Sequence, residues 1–366
     1  MMTSRGQYDT LLLGAVAALL AVGVVMVYSS SSVVALTTYN DPSYFMKRQI
    51  VWALLGLLVM MAAMRWDHGR LADKRVVGLL LLVTFVLLAA VFVPVLGRTI
   101  NGARRWIKLG GLTFQPAELM KFTLVVYLSS YISSRGERLR EFRQGLLPVL
   151  LVTMVFLGMT MFQPDFGTVV AMGLVILAMV LAGGANLLHL AGLVLLALPL
   201  GFAAIAAKAY RMRRLLSFLD PWADPQGAGH QIVQSYLAFG SGGVFGRGLG
   251  EGRQKLLFLP ERHSDFIYAV IGEELGLIGA AAVLVLFGIV LWRGIAVARH
   301  TEGFSRMLAL GITLLICVQA LFNMAVVTGL VPTKGIALPL VSYGGSALVV
   351  TLGSVGVLLN ISKGTR

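Results

Sequence analysis

Cysteine is almost absent. The single Cys317 lies inside an apolar run, so the sequence offers neither a disulfide framework nor a thiolate metal site. Histidine is scarce too, and none of the five stands in a His-Glu-x-x-His pattern, which argues against a zinc hydrolase. Charge is the third shortage: 13% of residues are charged, against roughly 25% in an ordinary soluble domain. With 58% hydrophobic residues, a soluble fold could not cover its own surface with polar groups. That excludes a soluble Rossmann, barrel or sandwich enzyme. Nothing asks for a nucleic-acid partner. Acidic residues are outnumbered, 16 against 30 Lys and Arg, for a formal charge of +14. In a membrane protein such an excess ordinarily reflects cytoplasmic loops and anionic lipid.

What is present is apolar length. A span needs about 20 apolar residues to cross a hydrocarbon layer of roughly 30 Å. Ten stretches qualify, near 10–30, 49–64, 76–96, 116–133, 146–162, 166–183, 188–207, 266–292, 307–329 and 345–361. The first lacks the basic flank and cleavage site of a signal peptide. No internal repeat is visible. The expectation is an all-α polytopic membrane protein: a single domain over 1–366, about ten transmembrane helices, and one long loop at 208–265 between helices 7 and 8. With the N-terminus inside, 14 of the 30 cations fall on the cytoplasmic side. Eight of the other 16 belong to the long loop, and long loops translocate largely regardless of charge. The remaining balance of 14 to 8 puts both termini in the cytoplasm and the long loop outside. Trp52, Trp66, Trp106, Trp222 and Trp292 fall near the span ends, as an aromatic belt does.

Cations also cluster on the outer side, where orientation does not call for them. Arg98, Arg104, Arg105 and Lys108 precede the fourth span, and Lys208, Arg211, Arg213 and Arg214 open the long loop. Diphosphate is the chemical match, because guanidinium forks fit phosphate oxygens bidentately. Anionic lipid headgroups are the alternative. Two Asp-Pro steps, at 220–221 and 224–225, mark turns, and 231–240 reads as a short amphipathic helix. Seven of the thirteen residues in 240–252 are glycine, with Arg247 inside and Arg253 and Lys255 just after. The spacing is neither a dinucleotide fingerprint nor a Walker sequence. Such a run either lets backbone N–H groups approach a substrate oxygen or is simply a flexible closure. Ser264 or Asp265 stands at the expected cap of the eighth span. Asp265 is therefore either a cap or a carboxylate placed to accept a proton. Glu118 and Lys121 share a helix face in the fourth span and can neutralise each other. Asp165, Glu273 and Glu274 are ionisable groups at depth, which demand internal partners or a water-filled cavity.

At these residues the chain resembles the SEDS family (shape, elongation, division and sporulation), the polytopic peptidoglycan glycosyltransferases. The landmarks are Phe114-Gln-Pro-Ala-Glu-Leu-Met-Lys121, Gln163-Pro-Asp-Phe-Gly167, Arg211-Met-Arg-Arg214 and Phe218-Leu-Asp-Pro-Trp222. They continue with Gln234-Ser235, Gly240-Ser-Gly-Gly243, Pro260-Glu-Arg-His-Ser-Asp-Phe266, Gly272-Glu-Glu-Leu-Gly276 and Leu340-Val-Ser-Tyr-Gly-Gly-Ser346. The division branch is a better match than the elongation branch, on Pro332-Thr-Lys-Gly335, Gln254-Lys255 and Gly272-Glu273-Glu274. Ser264 departs from the commoner threonine but keeps the hydroxyl.

The resemblance implies lipid II as substrate and Asp265 as the catalytic aspartate. It implies a substrate-binding set of Lys121, Glu118, Arg104, Arg105, Lys108, Arg211, Arg214, Lys255, His263, Ser264, Ser342, Gly344 and Ser346. In that chemistry lipid diphosphate leaves the anomeric carbon of the growing glycan, and a second lipid II supplies the attacking 4-hydroxyl. A base near the hydroxyl and positive charge on the leaving group are needed, from Lys and Arg or from a divalent cation such as Mg or Mn. At a helix N-terminus Asp265 should stay ionised. The implied partners are a class B penicillin-binding protein, other divisome membrane proteins and membrane lipid, in the cytoplasmic membrane at the division septum. Two other readings compete: a lipid II flippase using Glu118, Lys121 and Asp165 along a path through the bundle, and a scaffold that only recruits a synthase.

Overall fold

A computed structural model describes residues 6–100, 102–109, 112–254 and 259–364. A helix occupies each of the ten apolar stretches: α1 (Thr10–Tyr39), α2 (Tyr44–Arg65), α3 (Lys74–Ala90), then α4 (Pro116–Arg135), α5 (Leu147–Phe162), α6 (Phe166–Ala182) and α7 (Leu187–Ala206). Two shorter helices, α8 (Ala209–Leu219) and α9 (His230–Gly242), lie within the long loop. The remaining spans are α10 (Ile267–Arg299), α11 (Gly303–Val327) and α12 (Gly345–Ser362). Among the described residues seven helical stretches are long and apolar enough to cross a membrane, and Phe166–Ala182 is a shorter apolar helix. The protein is a multi-pass membrane protein.

Helix ends follow local chemistry. Asp9 caps α1 by accepting from the Leu12 amide, and Asp165 caps α6 by accepting from Thr168. Pro116 opens α4 at the position where a missing N–H costs nothing. Buried α11 packs against α4, α6, α10 and α12, while α1 lies on α10 and α2 on α12. The last pair approaches closely because a Cβ on Gly56 or Gly356 would strike the other helix. Small residues of this kind let backbones meet where lipid offers no hydrophobic drive. At one end Arg293 donates to the Asp9 carboxylate at 2.6 Å, and Ser362 Oγ accepts from the Asp9 amide at 3.1 Å.

Two expectations need correction. The fold is mostly rather than purely helical. An antiparallel sheet, β1 (Gly97–Ile100), β2 (Ala103–Leu109) and β3 (Leu112–Phe114), stands between α3 and α4, where an open cationic loop was expected. The cations mask a short strand, whose pairing with β1 shifts register at Arg105. The eighth span is also interrupted. Gly276 adopts φ 69°, ψ −167°, a conformation reserved for glycine, and breaks α10.

The backbone groups freed at the break pair with the segment after α9. The amides of Arg247 and Gly248 donate to the carbonyls of Glu273 and Glu274, each at 3.0 Å. Those of Leu277 and Ile278 donate to Gly243 and Val244, at 2.9 and 3.2 Å. A Cβ on Gly276 would collide with the Gly246 amide, so this contact needs glycine. The side chains of Glu273 and Glu274 are fully buried and complete the mooring. Glu273 accepts from the amides of Arg253 (2.7 Å) and Gln254 (3.1 Å), and Glu274 from the Gly250 amide (3.0 Å) and Ser29 Oγ (2.6 Å). The glycine-rich run is therefore bound to α10, and these amides are already engaged rather than free for a substrate oxygen.

Candidate active site

At the sheet end of the bundle lies a cavity of about 580 Å3. Its wall draws on α2, β2, the first turns of α4 and α6, α8, α11 and the two segments 260–266 and 334–347. Asp265 reaches it from the segment just before α10. Three contacts string that segment to its neighbours. Asn323 Nδ2 donates to the Asp265 carbonyl at 2.7 Å, Ser342 Oγ to the Ser264 carbonyl at 2.5 Å, and the Tyr343 amide to the His263 carbonyl at 2.9 Å. Asn323 also donates to the Ile336 carbonyl at 2.6 Å, fixing both segments to α11. Gly335 leaves room for the carboxylate, since a Cβ there would stand 2.8 Å from Asp265 Oδ2.

The capping expectation is overturned. The residue at the start of α10 is Phe266, and no side chain caps it. Ser264 Oγ instead donates to Glu261 Oε2 at 2.7 Å. Asp265 is thus spared structural work. Its ionisation also departs from expectation: burial, then the negative charges of Glu261 and Asp165, push its pKa up to about 7 against the opposing pull of Arg105 and Arg214. Desolvation outweighs the helix end here because the carboxyl sits among protein walls and beside two other carboxylates.

Around the cavity stand Arg48, Arg105, Lys121, Arg214 and Lys334. Arg105 Nε and Nη2 donate to the carbonyls of Gln163 (2.9 Å) and Pro164 (2.5 Å), and Nη1 lies 3.6 Å from Asp165, so this guanidinium braces the bend between α5 and α6. Glu118 and Lys121 form a buried ion pair at 2.8 Å, yet both line the cavity, and Lys121 Nζ also donates to Gln319 Oε1 at 2.8 Å. Arg214 reaches inward from α8, its Nη1 3.5 Å from the Thr333 carbonyl. Gly344 and Ser264 belong to the wall as well. His263 lies against the Phe45 ring at 4.7 Å, and burial lowers its pKa although Glu261 pulls the other way, so it is neutral.

Other expected residues do not reach the cavity. Arg104 points to the Phe92 carbonyl at 3.4 Å, and Lys108 is exposed on β2. Neither lines the cavity, whereas Arg105, left out of the β1–β2 register by a shift at this point, does. Arg211 is buried, donating to the Ala204 carbonyl at 2.8 Å with its guanidinium 5.5 Å from the Phe166 ring centre. Ser342 works on backbone, and Ser346 accepts from the Gln115 amide at 3.1 Å. Lys255 lies outside the described residues.

Three cavity residues escaped the sequence reading. Lys334 was visible in Pro332-Thr-Lys-Gly335, but there it served only to separate branches. Its Nζ sits 4.1 Å from the Phe166 ring centre, and burial, then Arg214 and Arg211, push its pKa down to about 8 against Asp165. Arg48 stands at the edge of the second apolar stretch and Gln319 within the ninth, and neither belongs to a motif singled out in the sequence. As for the divalent cation, Asp165, Glu261 and Asp265 share the cavity. Among the described residues, however, no three acidic, imidazole or thiol groups gather to hold a metal.

Comparison with known proteins fits this arrangement. The family model described as cell cycle protein, of the FtsW, RodA and SpoVE type, matches residues 9–366. A probable peptidoglycan glycosyltransferase FtsW from Geobacter sp. (strain M18) is 48% identical over 360 residues, 98% of each chain. The stage V sporulation protein E of Bacillus subtilis (strain 168) is 40% identical over 370 residues, all of both chains. Among solved structures, one chain from work on structural coordination of polymerization and crosslinking by a peptidoglycan synthase complex superposes with TM-score 0.80 at 34% identity, over 98% of each chain. Thermus thermophilus rod shape determining protein RodA superposes with TM-score 0.71 at 30% identity, over 98% of this chain and 97% of that one. With its whole length matched in sequence and in fold, this chain belongs to the FtsW/RodA/SpoVE family of cell cycle proteins, the SEDS family.

Proposed function

We propose that the chain polymerises lipid II into glycan strands, with Asp265 as the base. The chain is a peptidoglycan glycosyltransferase of the division type. One observation carries the assignment of Asp265: an uncapped carboxyl with pKa about 7 faces a cavity ringed by cations. At neutral pH a large fraction of it is ionised, and it is basic enough to take a proton as the acceptor 4-hydroxyl attacks the anomeric carbon. Arg214, Lys334, Lys121 and Arg105 surround the space where negative charge builds on the departing diphosphate. A single displacement inverts the anomeric centre. The charges that a flippase would string along its own path, Glu118, Lys121 and Asp165, line the same cavity as Asp265 and gain no separate route.

The same reading makes 1–366 one membrane domain in the cytoplasmic membrane, at the division septum, with ten spanning helices and both termini in the cytoplasm. The sheet, α8 and α9 then face outward. A class B penicillin-binding protein supplies cross-linking, since nothing in this chain resembles a transpeptidase. Other divisome membrane proteins and membrane lipid complete its surroundings. The assigned substrate-contacting groups are Lys121, Glu118, Arg105, Arg214, His263, Ser264 and Gly344. Arg211, Ser342 and Ser346 hold the wall, and Lys334 and Arg48 join the set.

Four outcomes follow. Asp265→Asn keeps the shape and loses the base, so labelled lipid II polymerised by folded, purified protein should fall by at least about two orders of magnitude. Glycan synthesis at the normal rate would end the assignment.

In the wild type the acid limb of kcat/KM against pH should bend near 7, with activity lost as Asp265 takes up its proton. A bend near the ordinary aspartate value of about 4 would point to another group.

Glu118→Gln or Lys121→Met alone strands a buried charge and should destabilise by about 3–5 kcal/mol. The double variant should recover its thermal midpoint yet remain inactive, because Lys121 faces the substrate. A stable double variant that polymerises normally would make the pair purely structural.

Finally, Gln226→Cys should react with an impermeant thiol reagent on intact spheroplasts and Glu137→Cys only after permeabilisation. Both positions are exposed, and native Cys317, 3% exposed, stays silent. The opposite pattern would invert the topology.

A further inference from the structure

The polarity of α8 is inside out. Arg211 is buried at 7% exposure, Ser217 is buried, and Arg214 reaches the cavity. On the opposite face Leu216 is 57% and Leu219 71% exposed, with Ala209 exposed and Met212 half-buried beside them. At 100° per residue these four fall within one sector of about 80°. Arg213, exposed, borders that sector. A helix on a water-facing loop should turn its leucines in and its guanidiniums out. The order here is that of the membrane-crossing helices: α7 exposes Leu195 at 68%, Leu198 at 64% and Phe202 at 60%, and buries Leu190. Only Ala207 and Lys208 separate α7 from α8, so α8 starts at the depth where α7 leaves the hydrocarbon. Trp222, 58% exposed just beyond α8, has the amphipathic ring favoured at headgroup level.

We infer that α8 is an interfacial membrane helix. Its Met212, Leu216 and Leu219 edge is buried in the lipid boundary, while its opposite edge packs Arg211 into the protein and holds Arg214 at the site. The occupant of the apolar face is lipid rather than a protein partner, because the face continues the lipid-facing surface of α7 and carries Lys208 and Arg213 at its margin, as anionic headgroups favour. An amphipathic helix of this type sinks roughly 5–10 Å into the boundary. The membrane surface thereby fixes the height of Arg214 relative to Asp265. This inference does not depend on which reaction the cavity performs.

The test is a depth measurement on the full chain in phosphatidylethanolamine–phosphatidylglycerol vesicles. Leu216→Cys and Leu219→Cys carry a nitroxide label, and the collision rates of molecular oxygen and a water-soluble nickel chelate are compared. Leu195→Cys on α7 and Gln226→Cys in the loop give the lipid and water references. Ala209→Cys, seven residues before Leu216 and on the same face, repeats the measurement with the smallest change of side chain. The expected result is oxygen collisions exceeding nickel collisions at all three α8 positions, as at Leu195. Nickel access matching Gln226 would overturn the inference by placing α8 in water. Shielding from both reagents would overturn it too, because protein would then cover the face.

Discussion

A membrane helix can be broken only if its freed amides and carbonyls find partners within the protein, since lipid offers none. That rule governs the middle of α10. Gly276 opens the helix, and the segment after α9 inserts its own backbone into the gap. Glu273 and Glu274 then fasten the following turns. The half of α10 above the break becomes a short rod of its own, ending at Phe266. Asp265 projects beyond that end into the cavity instead of being consumed as a cap. Without the exchange at Gly276, the glycine-rich run would lose its anchorage and Asp265 its platform.

The cavity balances two opposite electrostatic demands. Cations are needed where a diphosphate departs, yet a carboxylate surrounded by cations loses its basicity. The structure resolves this by burial and by spacing. Glu261 and Asp165 raise the Asp265 pKa, and Arg105 and Arg214 lower it without prevailing. Arg105 spends most of its donors on the carbonyls of Gln163 and Pro164. Lys334 is pressed down to about 8 by burial and then by the neighbouring guanidiniums, near the Asp265 value from the other side. A carboxyl proton held more tightly than usual and an ammonium proton held more loosely than usual therefore face the same space.

Much of this was legible in the sequence, and the failures have physical causes. The ten helices showed themselves because long apolar runs leave no alternative in lipid. The strand Ala103–Leu109 did not, because its arginines and lysine hid a short alternating pattern. For the same reason Arg104, Arg105 and Lys108 read as one cluster, when only Arg105, at a shift in the strand register, lines the cavity. The break at Gly276 could not be read from one glycine in a long apolar run, because what makes it necessary lies thirty residues earlier, at Gly246. Asp265 and the Glu118–Lys121 pair were found through motifs. Arg48 was missed because a cation at the end of a span carries no signal of its own. The capping reading failed by one residue, the difference between Asp265 and Phe266.

Ionic strength should act very differently on two parts of the molecule. The carboxylates of Glu273 and Glu274 are sealed from solvent and bonded at contact distance to amides and to Ser29, so mobile ions neither enter nor screen them. The ring of cations around Asp265 opens on water, where added salt shortens the reach of its field. The scaffold that presents the carboxyl and the field that gathers an anionic substrate thus rest on separate electrostatic regimes. Salt can loosen the second while leaving the first in place.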